Sequence, residues 1–417
     1  MQRYKLSYDV KGEIYYSPDN AKELLQGKYY LGDVLEILRH LTPEYRGKVQ
    51  LIYMDPPFLT GQEFKFRQPI GIKGWSGDRE HSISHIAYTD KVDKDILLNM
   101  MTEVLTLAYE LLTDEGCLYL HIDYRLSAYM RIILDDIFGI DNFLNEIIWH
   151  YRTGGRAKRH FSRKHDNILF YRKSKGYYFN IEAVGIPRGT DKKNNMKQGK
   201  DANGRVFWSI KSGGREYRYY EDDKVYPSDV WDDIPHLHQQ NPERTGYDTQ
   251  KPERLLERIV LSSSRPGDIV ADLFAGSGTT LNVAQRLGRR WLGIDSSIFS
   301  LHTCRKRLLN NERSNKIGFF YNENIPALSI KQGNHNEITI CDFEEDIELI
   351  DHWSIGYVKN GVYNSIKHSM RTSSNPNLDI EFQLNEKAIE NFSADNLCIH
   401  TVDIYGKQRF YIAKTSP

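Results

Sequence analysis

Two short segments carry residue types that can do chemistry. In LIYMDPPF, residues 51–58, Asp55 closes an apolar run and Pro56 and Pro57 fix the turn before Phe58. Proline rings hold a turn in a fixed direction. The carboxylate of Asp55 and the carbonyl of Pro56 can therefore accept the two hydrogens of a planar exocyclic amine, with Phe58 stacked on its ring. Such an amine is a weak nucleophile because its lone pair is delocalised, and acceptors on its hydrogens favour a tetrahedral nitrogen. The same residues can equally be a stiff strand terminator, with Phe58 in the core.

In VADLFAGSGTT, residues 270–280, an apolar run ends at Asp272 and meets a turn with Gly276 and Gly278 that opens directly into a helical pattern. Glycines let a backbone approach a ligand closely, and Asp295, closing WLGID, stands about 20 residues on, where a ribose hydroxyl pair is held. Leu281 occupies the place of a third glycine, so an adenosine ligand without a diphosphate fits better than a dinucleotide. An ordinary strand-to-helix turn is the bland alternative.

The elements that must position these segments follow an alternating pattern. KYYLG, VQLIYM, CLYLHI, FLNEIIWHY and NILFYRK read as strands, and DVLEILRHL, ILLNMMTEVLTLAYELL and LSAYMRIILDDIF as helices. A Gly-rich, aromatic loop is expected from the prolines to about Asp93, and an irregular inserted module over 176–246. PERLLERIVLSSS, DIVADLF, SGTTLNVAQRLG, RWLGID and SIFSLHTCRKRLLNN then resume the α/β alternation, and 323–417 reads as a small β-containing C-terminal domain. The expected organisation is 1–175, the insertion, 247–322, and that last domain.

Lys and Arg number 56 against 56 Asp and Glu, so a polyanion must be held by local patches rather than by net charge. Cys117, Cys304, Cys341 and Cys398 are scattered singly, which disfavours a zinc site or disulfide scaffold and suggests a reducing compartment. No membrane span or signal peptide is read, and a cytoplasmic location is expected.

Together DPPF and DLFAGSG, with TQKPERLLERIVLSSSRPGD before the second, resemble the β-class DNA amino-methyltransferases, in which the catalytic motif precedes the cofactor motif. The resemblance runs from about Tyr29 to Leu309. It implies a permuted Rossmann-like methyltransferase sheet, S-adenosylmethionine as cofactor, double-stranded DNA as substrate, and no metal. Asp55, Pro56, Pro57 and Phe58 would hold the flipped base. Phe274, Ala275, Gly276 and Gly278 would wrap the cofactor, with Asp272 beside its methionine part and Asp295 on its ribose. Thr249, Gln250 and Lys251 would sit at its amino-acid end. Asp33 would face its adenine edge, or equally cap a helix. Asp rather than Ser at the head of DPPF favours adenine N6 over cytosine N4, and Phe58 stands where Tyr is more usual.

The stretch from His150 to Lys175 is dense in Lys and Arg, with Asp166 alone opposing them. Either it is a solvated loop or Arg152, Arg156, Lys158, Arg159, Arg163 and Lys164 hold phosphates, with Trp149, Phe161 or Tyr171 as a stacking surface. The inserted module would read base edges. A DNA-recognition subunit without its own turnover, and a methyltransferase of RNA or of protein glutamine, are the competing readings. A homodimer and a separate restriction nuclease are the expected partners.

Overall fold

A computed structural model of the chain describes residues 9–15, 24–78, 80–152, 157–188, 196–238, 240–311, 316–331, 337–339, 347–379, 381–383 and 397–414. Its frame is a mixed sheet of fourteen strands among those residues. Six neighbours run parallel, in the order Ile317–Lys331, Gly27–Leu31, Arg290–Asp295, Ile269–Asp272, Val49–Met54 and Leu112–Ile122. His165–Arg172 follows antiparallel, and Phe143–His150 antiparallel to that.

The middle strands are apolar because helices cover both faces. Val49–Met54 and Ile269–Asp272 are buried along their whole lengths. Val49, Ile52 and Met54 pack with helices Val34–Tyr45, Lys94–Leu111 and Ser127–Phe138, whereas Leu51 and Tyr53 pack with helices Glu253–Ser263, Thr279–Arg286 and Ile298–Leu309. Asp33 starts the first of these helices, its Oδ1 accepting from Leu35 N at 2.9 Å and Glu36 N at 3.1 Å. From Val49–Met54 the chain moves toward Leu112–Ile122, and from Ile269–Asp272 it moves the other way, toward Arg290–Asp295. A crevice opens between carboxyl ends where connections diverge.

Four regions differ from expectation. The segment after the prolines is an antiparallel hairpin of Glu63–Pro69 and Ser82–Thr89, with a short helix Gly71–Trp75 between, rather than a loop. The insertion holds a three-stranded sheet, Lys197–Lys200, Val206–Ser212 and Arg215–Tyr220. Its tight turn uses Gly213 and Gly214 at φ 58° and 78°, the positive values that a two-residue hairpin loop requires. Before the insertion ends, Val230–Trp231 rejoins the main sheet beside Ile148 and Trp149.

The C-terminal segment is rich in strands, as expected, but it continues the central sheet. Ile317–Lys331 pairs with Gly27–Leu31 at its start and with Gln408–Lys414 at its end. Asp9–Tyr15, expected with the catalytic domain, lies there too, between Ile317–Lys331 and Val362–Met370.

A buried ion pair ties these parts together. Arg305, on the helix Ile298–Leu309, donates to Glu13 Oε1 at 3.0 Å, and both side chains are fully buried. Tyr15 donates to Glu13 at 2.5 Å and His400 Nδ1 lies 3.0 Å away. Glu13→Ala should leave a buried guanidinium uncompensated and cost about 3–5 kcal/mol. Replacing Glu13 and Arg305 together with Leu and Met should cost less, the comparison being made on denaturant midpoints.

Candidate active site

Register brings the acidic residues together. Leu31 pairs with Asp295, and Asp272 lies beside Gly293 on one side and Tyr53 on the other. Asp33, Asp295, Asp272 and Asp55 therefore stand at four adjacent strand ends. All four line one cavity of about 270 Å³, with Pro57, Tyr88, Thr249, Lys251, Phe274, Ala275 and Gly276 among its other walls.

At the first segment, the two oxygens of Asp55 have different surroundings. Oδ2 forms an ion pair with Lys251 Nζ, while Oδ1 is buried without a hydrogen-bond partner. Lys251, expected at a cofactor's amino-acid end, is thus a partner of the aspartate. The turn beyond the prolines is locked by Asp90. Its carboxylate accepts from Phe58 N at 3.3 Å, Leu59 N at 3.0 Å, Thr60 N at 2.8 Å and Thr60 Oγ1 at 2.6 Å. These bonds hold Leu59 at φ 59°, a conformation that side chains other than glycine's seldom adopt.

Phe58 and the buried Pro56 stand just outside the cavity wall. The Phe58 ring lies over His121 with centroids 6.1 Å apart, and Lys251 Nζ is 5.6 Å from its centre. His121 continues into a chain of polar contacts, to Tyr53 at 2.8 Å and to Asp166 at 3.3 Å. Nothing local in the sequence marks Tyr88, Asp90, His121 or Asp166 for the site: the first two come from the end of Ser82–Thr89, and the others from Leu112–Ile122 and His165–Arg172.

The glycine turn is held from three sides. Asp295 Oδ2 accepts from Gly276 N at 2.8 Å, and Asp295 Oδ1 from Ser297 N at 2.8 Å. Asp272 accepts from Phe274 N at 3.1 Å and Thr280 Oγ1 at 2.5 Å. Ser300 Oγ donates to the Gly276 carbonyl at 2.5 Å. Gly278 is outside the lining: at φ 72° it starts the helix, and a Cβ there would meet Cys304 Sγ at 2.6 Å.

Gln250 is also outside the lining. It is buried, accepting from Thr245 N at 2.8 Å and donating to the Glu243 carbonyl at 2.7 Å, so it braces the loop that presents Thr249 and Lys251. Asp33 caps its helix and borders the cavity at once.

Phe143–His150 runs parallel to Leu112–Ile122, so the basic loop after His150 leaves from the same carboxyl edge as Asp55. Arg152, Lys158, Arg159 and Arg163 are exposed, Lys164 is half-buried and donates to the Arg152 carbonyl at 3.0 Å, and Arg156 lies outside the described residues. Arg163 donates to Tyr124 Oη at 2.6 Å. Of the three expected stacking surfaces, Trp149 and Tyr171 are core residues, bonded to the Ile234 carbonyl at 2.8 Å and to Asp135 at 2.6 Å. Phe161 is 98% exposed.

Burial raises the Asp272 carboxyl from 3.8 to about 7, against the lowering effect of its two hydrogen bonds. Burial raises Asp295 as well, and it holds Tyr88 protonated, helped by the charge of Asp55. A carboxyl whose folded value is raised contributes stability in full below its unfolded value, and loses it as pH climbs through the folded one. The stability of the protein relative to an Asp272→Asn variant should therefore fall between pH 3.8 and about 7 and level off above, as read from denaturant unfolding across that range.

Comparison with known proteins identifies the family. Residues 49–305 match the N6/N4 methyltransferase family, described as DNA methylase. Type II methyltransferase M.EcaI of Enterobacter cloacae is 32% identical over 338 residues, covering 69% of this chain and 71% of that protein. DNA adenine methyltransferase YhdJ of Escherichia coli K12 is 30% identical over 266 residues, covering 63% and 76%. Among solved structures, the cytosine-N4-specific PvuII DNA methyltransferase matches with a TM-score of 0.46 at 15% identity over 72% of this chain and 89% of its own. With a family match that takes in both the proline-braced aspartate and the glycine turn, the chain belongs to the N6/N4 DNA methylases and is a DNA amino-methyltransferase.

Proposed function

We propose that the chain transfers a methyl group from S-adenosylmethionine to the N6 amine of an adenine turned out of duplex DNA. The observation that carries this reading is Asp55, with one oxygen engaged by Lys251 and the other a buried, unsatisfied acceptor at the cavity wall. A buried acceptor without a donor is costly, and an amine hydrogen supplies the missing partner. Adenine is favoured by the aspartate at the head of the motif, and the Escherichia coli relative is named an adenine methyltransferase.

The cavity suits the cofactor. Four carboxylates border it against one lysine, which complements a ligand carrying sulfonium and ammonium charge. Val92, Ile96 and Phe274 give it an apolar side for a flat purine. When bound, S-adenosylmethionine supplies an electrophilic methyl group. The protein's part is to orient and to accept hydrogens. Asp55 Oδ1 takes a hydrogen bond from the amine and is placed to receive its proton as the nitrogen gains the methyl. Lys251 keeps Oδ2 fixed, and Asp90 keeps the turn from yielding.

The exposed loop after His150 would hold backbone phosphates, with Phe161 entering the stack where the base has left. A homodimer and a separately encoded restriction nuclease belong to the same proposal.

Incubation with labelled cofactor and unmethylated genomic DNA, followed by nucleoside analysis, tests the reading: N6-methyladenine supports it, and N4-methylcytosine alone overturns the choice of base. Asp55→Ala should abolish transfer while saturable cofactor binding, measured by calorimetry, is retained. Lys251→Met should lower kcat by about 10²-fold, the scale of removing one group that fixes reacting geometry. Phe161→Ala should weaken extrusion of a 2-aminopurine target by about 1–3 kcal/mol in a fluorescence titration, and Phe161→Trp should restore it.

A further inference from the structure

A second cavity, of about 540 Å³, lies under the hairpin beside the first. Its walls are the hairpin around Gln68, the turn at Arg244, and one side of the helix Ile298–Leu309. Phe66 and Tyr247 divide it from the catalytic cavity, paired as a backbone bridge with their rings 6.2 Å apart. Nothing in the proposed transfer uses it.

Its lining is strongly basic. Among the described residues, Arg67, Arg244, Lys306 and Arg307 line it with a single acid, Asp78, which already pairs with His81 at 2.8 Å. Lys306 is balanced by Asp351 and Arg307 by Glu253. Arg244 instead donates to the carbonyls of Tyr247, Asp248 and Leu237 at 3.1–3.2 Å, which carry no charge to offset its own. Arg67 is exposed on the strand beside it. Two buried donors here have no acceptor: the amide nitrogen of Gln68, a residue only 1% exposed, and Arg244 Nε.

Uncompensated positive charge beside buried, unused N–H groups calls for a ligand that is anionic and has several acceptor oxygens. One face of Trp75, in the same wall, is covered by the Lys306 ammonium 3.9 Å from its ring centre, so charge rather than base stacking sets the preference. We propose that this cavity is a phosphate site, in which Gln68, Arg244 and Arg67 hold a phosphate ester from either the duplex flanking the target base or a free nucleotide. The hairpin springs from the turn after Asp55, at the edge where DNA must arrive, so a flanking phosphate is within its reach.

The test uses the full chain, with inorganic pyrophosphate and ADP in calorimetry and a labelled duplex in an anisotropy titration across a salt series. Pyrophosphate should bind once per chain, and Arg67→Glu should weaken it at least tenfold while Asp55→Ala leaves it unchanged. If the source is duplex, Arg67→Glu also weakens DNA binding and lowers the slope of log affinity against log salt by about one. If it is a free nucleotide, ADP binds saturably and the duplex titration is unchanged. Gln68→Leu, with an unaltered melting curve, should reproduce the pyrophosphate loss. Absence of saturable pyrophosphate and ADP heat together with an unchanged duplex titration overturns the proposal, as does binding that survives both variants. Because pyrophosphate binding is read without methyl transfer, failure here is distinct from failure of the proposed reaction.

Discussion

The ion pair between Asp55 and Lys251 joins positions 196 residues apart, and the site exists only where that pair can form. Nothing local to either partner brings the two together. Each follows from the sheet: Val49–Met54 and Ile269–Asp272 lie side by side and parallel, so the turn after one and the loop before the helix feeding the other reach the same crevice. Diverging connections keep that crevice open. A permuted chain order changes which strand is made first, not which ends meet.

Gathering four carboxylates round one cavity sets a problem of repulsion and desolvation, and the structure answers it residue by residue. Asp33 is spent partly on a helix cap, Asp295 on two backbone N–H groups, and Asp272 on a backbone N–H and a threonine hydroxyl. Only Asp55 receives a full opposite charge. Its Oδ1 is left as an acceptor without a donor, and that is the atom to which the proposed transfer assigns the amine hydrogen. Backbone N–H braces on the other acids also fix the glycine turn, so electrostatic relief and loop rigidity come from the same bonds.

Hydrophobic period and turn chemistry made the parallel core legible, since buried strands and amphipathic helices announce themselves over consecutive residues. Asp55, Asp272 and Asp295, which line one cavity, were legible for the same reason, each closing an apolar run. What escaped was set by long-range pairing. Asp90 braces the turn from 30 residues away, and Gln250 proved to be a strut although it sits between two cavity residues. The hairpin strands EFKFRQP and SISHIAYT do alternate, but their outward residues are polar enough to pass for loop. Gly213-Gly214 was a readable turn signal in the insertion. Trp149 and Tyr171 show the limit of composition: both look like stacking candidates, and both are core.

The continuation of the sheet into the C-terminal strands gives that region a physical route to the glycine turn. One helix, Ile298–Leu309, is bonded to both. Toward the turn, Ser300 donates to the Gly276 carbonyl, and Arg307 donates to the Ser277 carbonyl at 3.3 Å and to Thr279 Oγ1 at 3.0 Å. Toward the outer strands, Arg305 meets Glu13 of Asp9–Tyr15 and Gln408, and His302 and Lys306 meet Asp351 at 2.6 and 2.7 Å. The contacts to the turn, at Ser300 and Arg307, flank those to the outer strands, at His302, Arg305 and Lys306, so the helix cannot shift toward one partner without straining bonds to the other. Buried charge pairs are weak evidence for stability but strong constraints on position, because breaking one leaves an unpaired charge in the interior. The outer strands therefore fix the placement of the helix on which the glycine turn rests, and a displacement there is felt first at Gly276 rather than at Asp55.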